Sequence, residues 1–332
     1  MQTASIAVQT LCVPCHNRCR YCLLSWDGTL PGADYARSER YARRFHQWIR
    51  ENRPELSFQF YFGFSMEHPQ LADAVDFMNS IGSAGGQFLQ LDGLAFREDA
   101  GIRAYLSDAK AHGIRAVNLT FYGLRDYHDR FAGRRGDFDY LMAILRTARA
   151  LDLEVSVGIP LTRENAHQAE ELRSILTDAG VDPRFFVPHS EGRGITLEPI
   201  RLRQQDLERC SPEVLARFNA RMYRTEAQWL RTDPLPLPEK RMLAVSLTGD
   251  SIGFFETLPF EDTIRYLEQR DDAYHGQFPP VQELMELYGD PGSEMLYSFR
   301  DLCQRYRRRY LADHPSGIPD VTDERGCFSR RY

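Results

Sequence analysis

Lysine is almost absent from this chain: two of its 41 basic residues are lysine and the rest arginine. That bias points to GC-rich coding and to no particular activity. No run approaches the roughly eighteen apolar residues that a membrane helix needs, so no membrane span is expected. The opening MQTASIAVQT has neither a basic n-region nor an apolar h-region. It therefore does not read as a secretory signal, and a reducing cytoplasm, where disulfides are rare, is the expected compartment. Internal repeats, low-complexity segments and a Ser-His-Asp or paired-carboxylate signature are also missing. The formal charge of −6 gives little attraction for duplex nucleic acid, and none is expected as a partner. The basic run RYRRRY at 305–310 reads as a solvated helix face.

What is present is enough for a full core. With 332 residues and a 42% hydrophobic fraction, the chain reads as one large domain, or one domain with an appendage. Short apolar runs predict strands at 5–11, 56–62, 87–91, 115–121, 153–159 and 184–188. Helical periodicity fills about 35–52, 69–82, 98–111, 136–151 and 164–179, bounded by turn signals at Gly82, Gly85–Gly86, Gly113 and Gly180. Strict β/α alternation means an α/β fold with parallel strands. We read it as a partial (β/α)6 barrel over 1–195, with a doubly wound sheet as the alternative. Either arrangement gathers ligands at the C-terminal strand ends. After about residue 196 the alternation stops, and a mostly helical extension over 196–332 covers the barrel mouth. Within it ERCSPEVLARFNARMYRTEAQWL reads as one helix, capped by Ser211 with Pro212 in its first turn.

CVPCHNRCRYC, residues 12–22, holds four of the seven cysteines on the loop leaving the first strand. Two zinc knuckles usually stand a dozen or more residues apart so that their pairs can converge. Here Cys12/Cys15 and Cys19/Cys22 are separated by three residues. Leaving Cys12 as a small buried residue gives Cys15-x3-Cys19-x2-Cys22. Three such thiolates can each bind one iron of a 4Fe–4S cubane, leaving the fourth iron open for chemistry.

CHNRCRYC, with Tyr21 before its last cysteine, resembles the signature of the radical S-adenosylmethionine (radical SAM) superfamily. The resemblance implies a 4Fe–4S cluster on Cys15, Cys19 and Cys22, with Tyr21 packed over it. It implies that S-adenosylmethionine is the second cofactor. In FYFGFSMEHP, the residues Phe62, Gly63, Phe64 and Ser65 occupy the place of a Gly-Gly-Glu-Pro-like stretch that holds the methionine amino group. Only the second glycine matches; the acid is missing, although Glu67 is near. QLDGLAF shares only its glycine with the third-strand pattern.

The fourth unit, NLTFYGLRDYHDRFAGRRGDFDYLMAIL, is similar to that of peptide-modifying (SPASM/twitch-like) members. There Thr120 and Arg134 or Arg135 would clamp the cofactor carboxylate, with His128 between them in sequence. Gly158–Pro160, Val187 and Pro188 would lie near adenine. Arg193 would meet an acidic substrate group, whereas Asn165 reads as a turn residue.

The implied activity is reductive cleavage of S-adenosylmethionine to a 5′-deoxyadenosyl radical that abstracts a substrate hydrogen atom. The fourth unit favours tailoring of a ribosomally made peptide. The alternative is epimerisation, dehydrogenation or rearrangement of a small sugar, nucleoside or antibiotic precursor. It is favoured by a tail with only Cys210, Cys303 and Cys327, and no Cys-x2-Cys pair for an auxiliary cluster. Cys210 is the candidate hydrogen donor for an epimerisation, and Trp26 and Asp27 are candidate pocket residues. A flavodoxin- or ferredoxin-type electron donor is the implied partner. The non-enzyme rival is a zinc-stabilised binding module.

Overall fold

The computed structural model describes residues 1–11, 15–25, 28–29, 32–63, 67–83 and 87–331, the side chain of Phe62 excepted. Cys12, Trp26, Asp27, Phe64, Ser65 and the Gly85–Gly86 turn lie outside the described residues.

Six parallel strands alternate with helices, as the periodicity predicts. They are β1 (Gln2–Leu11), β2 (Ser57–Gly63), β3 (Phe88–Gln90), β4 (Ala116–Thr120), β5 (Glu154–Pro160) and β6 (Arg184–Phe186). Between them run α1 (Tyr35–Asn52), α2 (Leu71–Ser80), α3 (Asp99–Ala111), α4 (Arg125–Ala132), α5 (Asp137–Ala150) and α6 (Ala169–Asp178). β2 and β1 pair in a first sheet, which two later strands complete to four, and β3-β4-β5-β6 form a second in that order. Loops leaving β1 to β4 converge on one pocket, so the sheets work as the walls of a partial barrel.

α1 shows how the sequence builds these layers. Asp34 caps it, its carboxylate accepting from Arg37 N at 3.0 Å. Tyr35, Ser38, Tyr41, Ala42, Phe45 and Ile49 recur at three- and four-residue spacing and form its buried face. Phe45 is fully buried and stacks on Phe260 of the tail, with centroids 4.7 Å apart. Burying such a side chain contributes about 1.5–3 kcal/mol, and Phe45→Ala costs about 3–5 kcal/mol.

The tail is mostly helical: α7 (Gln204–Glu208), α8 (Pro212–Arg217), α9 (Glu226–Leu230), α10 (Ile252–Thr257), α11 (Phe260–Gly276), α12 (Val281–Tyr288) and α13 (Phe299–Asp313). The single helix expected from the Ser211 cap to about residue 230 is instead two short ones, α8 and α9, with α7 ending before it. Ser211 does cap α8, with Pro212 at its start, but that proline also ends α7 behind it. Thr225 and Gln228 then form a capping box that starts α9 afresh.

Two tail strands extend the first sheet: β7 (Lys240–Leu247) and β8 (Phe328–Arg331). β7 runs parallel to β1, from Gln2↔Lys240 to Thr10↔Leu247, and β8 pairs antiparallel with β7. β1 is thus a central strand, which explains its nearly continuous burial. Among the described residues no helix is long and apolar enough to cross a membrane.

Candidate functional site

The loop that leaves β1 is fixed by its backbone from three sides. His16 N donates to Gly93 O at 2.9 Å, at the end of β3. Arg18 N donates to Ala132 O at 2.7 Å and Arg20 N to Phe131 O at 3.0 Å, at the end of α4. Arg193 N, beyond β6, donates to Cys22 O at 2.9 Å. Two glycines make these approaches possible. Gly93 has φ +82°, and a Cβ there would stand 2.4 Å from Cys15 Sγ. Gly192 has φ +52°, and a Cβ would meet Leu23 O at 2.2 Å.

Held this way, Cys15, Cys19 and Cys22 all line one cavity of about 350 Å³, within the size range of small-molecule sites. Its other walls include Tyr21 and Leu24 from the loop, Glu67 after β2, Asp92 and Leu94 after β3, and Thr120 and Tyr122 at the end of β4. Glu324 enters from the tail, held by Arg330. Among the described residues no group of three or more His, Cys, Asp and Glu side chains converges as one metal ion requires. The three cysteines share the lining of this one pocket. Three thiolates on one loop, with the place of a Cβ given up to the Cys15 sulfur, fit the donor set of a cubane.

Burial sets the protonation of this wall. It pushes the Cys15 thiol up to about 11, and raises the Cys19 thiol further. Free of metal, both are neutral, so loading a metal centre displaces protons. Burial also lifts Asp92 to about 6, against hydrogen bonds that favour its carboxylate. Those bonds come from Thr120 N at 2.9 Å, Thr120 Oγ1 at 2.7 Å and Gln90 Nε2 at 2.5 Å. Glu67 is held by His16 Nε2 at 3.1 Å, Arg97 at 3.1 Å and the Ala95 amide.

The structure brings some of the predicted site residues together and separates others. Tyr21 lines the pocket beside the cysteines, edge-on to Tyr122 with ring centroids 5.6 Å apart. Thr120 is at the pocket too, but its hydroxyl is given to Asp92. Arg134 is not beside it. Its guanidinium sits 3.6 Å from the Phe96 ring centroid and bonds Leu94 O and Asp137 Oδ1, so the expected hydroxyl–guanidinium pair does not form.

Gly63 ends β2 opposite Leu11, outside the pocket wall. Gly158, Val187 and Pro188 are also outside it. Gly158 packs against Phe186, Val187 is fully buried, and the Pro188 carbonyl accepts from Arg201 at 3.3 Å. Cys210 faces away, its thiol directed to Asp206 O at 3.6 Å between α7 and α8. Arg193 lies against the cysteine loop, reaching Cys19 O at 3.5 Å. Asn165 is the turn residue expected, its side chain accepting from Thr162 N at 2.7 Å.

Four residues at or behind the pocket were not singled out from the sequence: Asn17, Asp92, Tyr122 and Asp137. Asn17 is 2% exposed although it lies between His16 and Arg18 in a polar loop. Asp92 stands next to the one glycine recognised after β3, and Tyr122 directly before Gly123 after β4. Acid and aromatic residues at the C-terminal end of a strand are the signal that was available.

No family model matches the chain, and no curated protein matches it. Among solved structures it is similar to coproporphyrinogen III oxidase HemN from Escherichia coli, a radical SAM enzyme. That match has 14% identity and a TM-score of 0.42, and covers 65% of this chain and 51% of HemN. A second is anSMEcpe with bound AdoMet, at 12% identity and a TM-score of 0.38, covering 55% of this chain and 51% of that one. A third is TsrM, a radical S-adenosylmethionine methyltransferase from Kitasatospora setae with cobalamin and a 4Fe–4S cluster bound. It shows 13% identity and a TM-score of 0.36, covering 63% of this chain and 41% of TsrM. The chain spans about half the length of these proteins, or less.

Proposed function

We propose that this chain is a radical SAM enzyme: it carries a 4Fe–4S cluster on Cys15, Cys19 and Cys22 and binds S-adenosylmethionine in the adjoining pocket. The observation that carries this reading is the gathering of three thiols from one loop at a single cavity, at the C-terminal ends of β1 to β4. Such a cluster, when bound, supplies the electron that cleaves S-adenosylmethionine to a 5′-deoxyadenosyl radical, which takes a hydrogen atom from the substrate.

The chain's own groups would do the rest. Glu67 and Asp92, two of the three acids of the wall, would receive the cofactor's cationic amino group or its ribose hydroxyls. Leu23, Leu24 and Leu94 would keep water from the reacting carbon. A flavodoxin- or ferredoxin-type protein would deliver the electron.

For the substrate, the fourth-unit pattern favours a ribosomally made peptide. A small sugar, nucleoside or antibiotic precursor is favoured by Glu324, which the tail places in the pocket wall. The decisive experiment is anaerobic reconstitution, followed by iron and sulfide analysis and by incubation with dithionite and S-adenosylmethionine. The parent chain forms 5′-deoxyadenosine, and the variant with Cys15, Cys19 and Cys22 changed to Ala does not. Tightly bound zinc in the parent, with no sulfide and no 5′-deoxyadenosine, would overturn the proposal in favour of a zinc-stabilised binding module.

A further inference from the structure

Tyr122 is held at each of its polar groups. Its amide donates to His128 Nδ1 at 3.1 Å, and its carbonyl accepts from Asn165 Nδ2 at 2.6 Å. Its hydroxyl donates to Cys19 Sγ at 3.1 Å. The ring is 2% exposed and lies between His128 and Phe131, at centroid distances of 5.1 and 4.7 Å and small interplanar angles. The first two bonds fix the backbone at this position, and the third belongs to the side chain: a phenylalanine of the same shape would fill the space and lack the bond to Cys19.

The acceptor is fixed by the same device as the donor. Because His128 Nδ1 accepts, its Nε2 carries the proton and donates to Asp137 Oδ2 at 3.2 Å. The same carboxylate oxygen accepts from Asn17 Nδ2 at 3.1 Å, and Asn17 is two residues before Cys19. The buried carboxylate of Asp137 thus ties the β4 end to the cysteine loop and holds the hydroxyl and the sulfur in register.

We infer that Tyr122 is a potential-setting residue: its O–H···Sγ bond to Cys19 makes one-electron reduction of the bound cluster easier. The inference rests on the proposed cluster. Reduction adds negative charge that is shared with the ligand sulfurs, and a hydroxyl dipole aimed at one of them stabilises the reduced state more than the oxidised one. A tyrosine hydroxyl is ordinarily protonated at neutral pH, so it serves as a donor.

The test uses the full chain, reconstituted anaerobically, as parent, Tyr122→Phe, Tyr122→3-fluorotyrosine and Tyr127→Phe. Iron and sulfide per chain are measured first, then the reduction potential by potentiometric titration read by electron paramagnetic resonance. Tyr122→Phe is expected to keep the parent's iron and sulfide and to be reduced at a more negative potential. A tenfold loss in the reduction equilibrium reads as about 59 mV for one electron.

Tyr122→3-fluorotyrosine keeps a hydroxyl that is a stronger donor, and moves the potential the other way. It decides the matter if Tyr122→Phe does not fold. Tyr127, whose hydroxyl bonds Thr162 and Glu164 instead, leaves the potential in place when changed to Phe. A normal cluster with the parent's potential in both Tyr122 variants overturns the inference and leaves the proposed function standing. A parent that takes up no iron and sulfide overturns both.

Discussion

Asn17 and Asp137 lie 120 residues apart in sequence and meet in the interior, Nδ2 to Oδ2, at 3.1 Å. The contact anchors the middle of the cysteine loop to the first residue of α5. Removing one partner of a buried hydrogen bond costs about 1–3 kcal/mol, more when a charge is left under-bonded. Asn17→Ala should lower stability by about that amount and reduce iron uptake in the same preparation. Denaturant titration and iron analysis check both. Unchanged loading would mean that the loop holds its shape without this anchor.

Gly93→Ala should be more damaging than its size suggests. The new methyl would face Cys15 Sγ at 2.4 Å, on a backbone at φ +82°. Left-handed strain alone costs on the order of 1–3 kcal/mol, and the sulfur must also move. Iron and sulfide per chain should fall while the far-ultraviolet circular dichroism stays that of the parent.

Acid should destabilise the fold in two stages. Burial, aided by Arg307 and Arg331, holds His275 below the ordinary imidazole value. The unfolded chain therefore gains a proton there first, and stability falls as pH drops below about 6.5. Burial alone would raise Asp271, but hydrogen bonds from Arg331, Ser329 and Arg241 outweigh it and keep the carboxylate below its usual range. Its contribution is complete above about pH 4 and is lost as pH falls through the lower folded value. Denaturation midpoints measured across this range should decline in both stages, and His275→Gln should flatten the first. A parent midpoint that does not change between pH 7 and 5 would contradict this.

Cys210→Ala should leave both 5′-deoxyadenosine formation and product stereochemistry unchanged, because the thiol is directed at Asp206 O and is outside the pocket wall. Deuterium incorporation in heavy water is the measurement. Loss of label at the substrate carbon would place Cys210 in the reaction after all.

The six strands and their order of alternation were readable because a buried parallel strand and an amphipathic helix leave different periods in the sequence. The cysteine loop stands out in the sequence as a candidate metal site because its spacing has few other uses. α4 was missed because its eight residues, Arg125–Ala132, carry mostly polar side chains and a short buried face. β8 was missed because SRR gives no apolar alternation; its place comes from pairing with β7 and from the Arg331–Asp271 contact at 2.7 Å. Arg134 was assigned to a cofactor from pattern alone. Nothing in the pattern showed that Phe96 and Asp137 would hold it first. The Tyr122–Cys19 bond joins two loops from different units, and such partners emerge only from the assembled barrel.

The position of β7 beside β1 has a consequence for how the molecule is made. During synthesis β1 leaves the ribosome well before its neighbour on one side, Lys240–Leu247. Until then the strand that leads into the cysteine loop has an open flank, and so distant a pairing closes slowly. Under the proposed function, metal delivery belongs after β7 has emerged and paired, and factors that shield nascent thiols from oxygen should raise the yield of loaded protein.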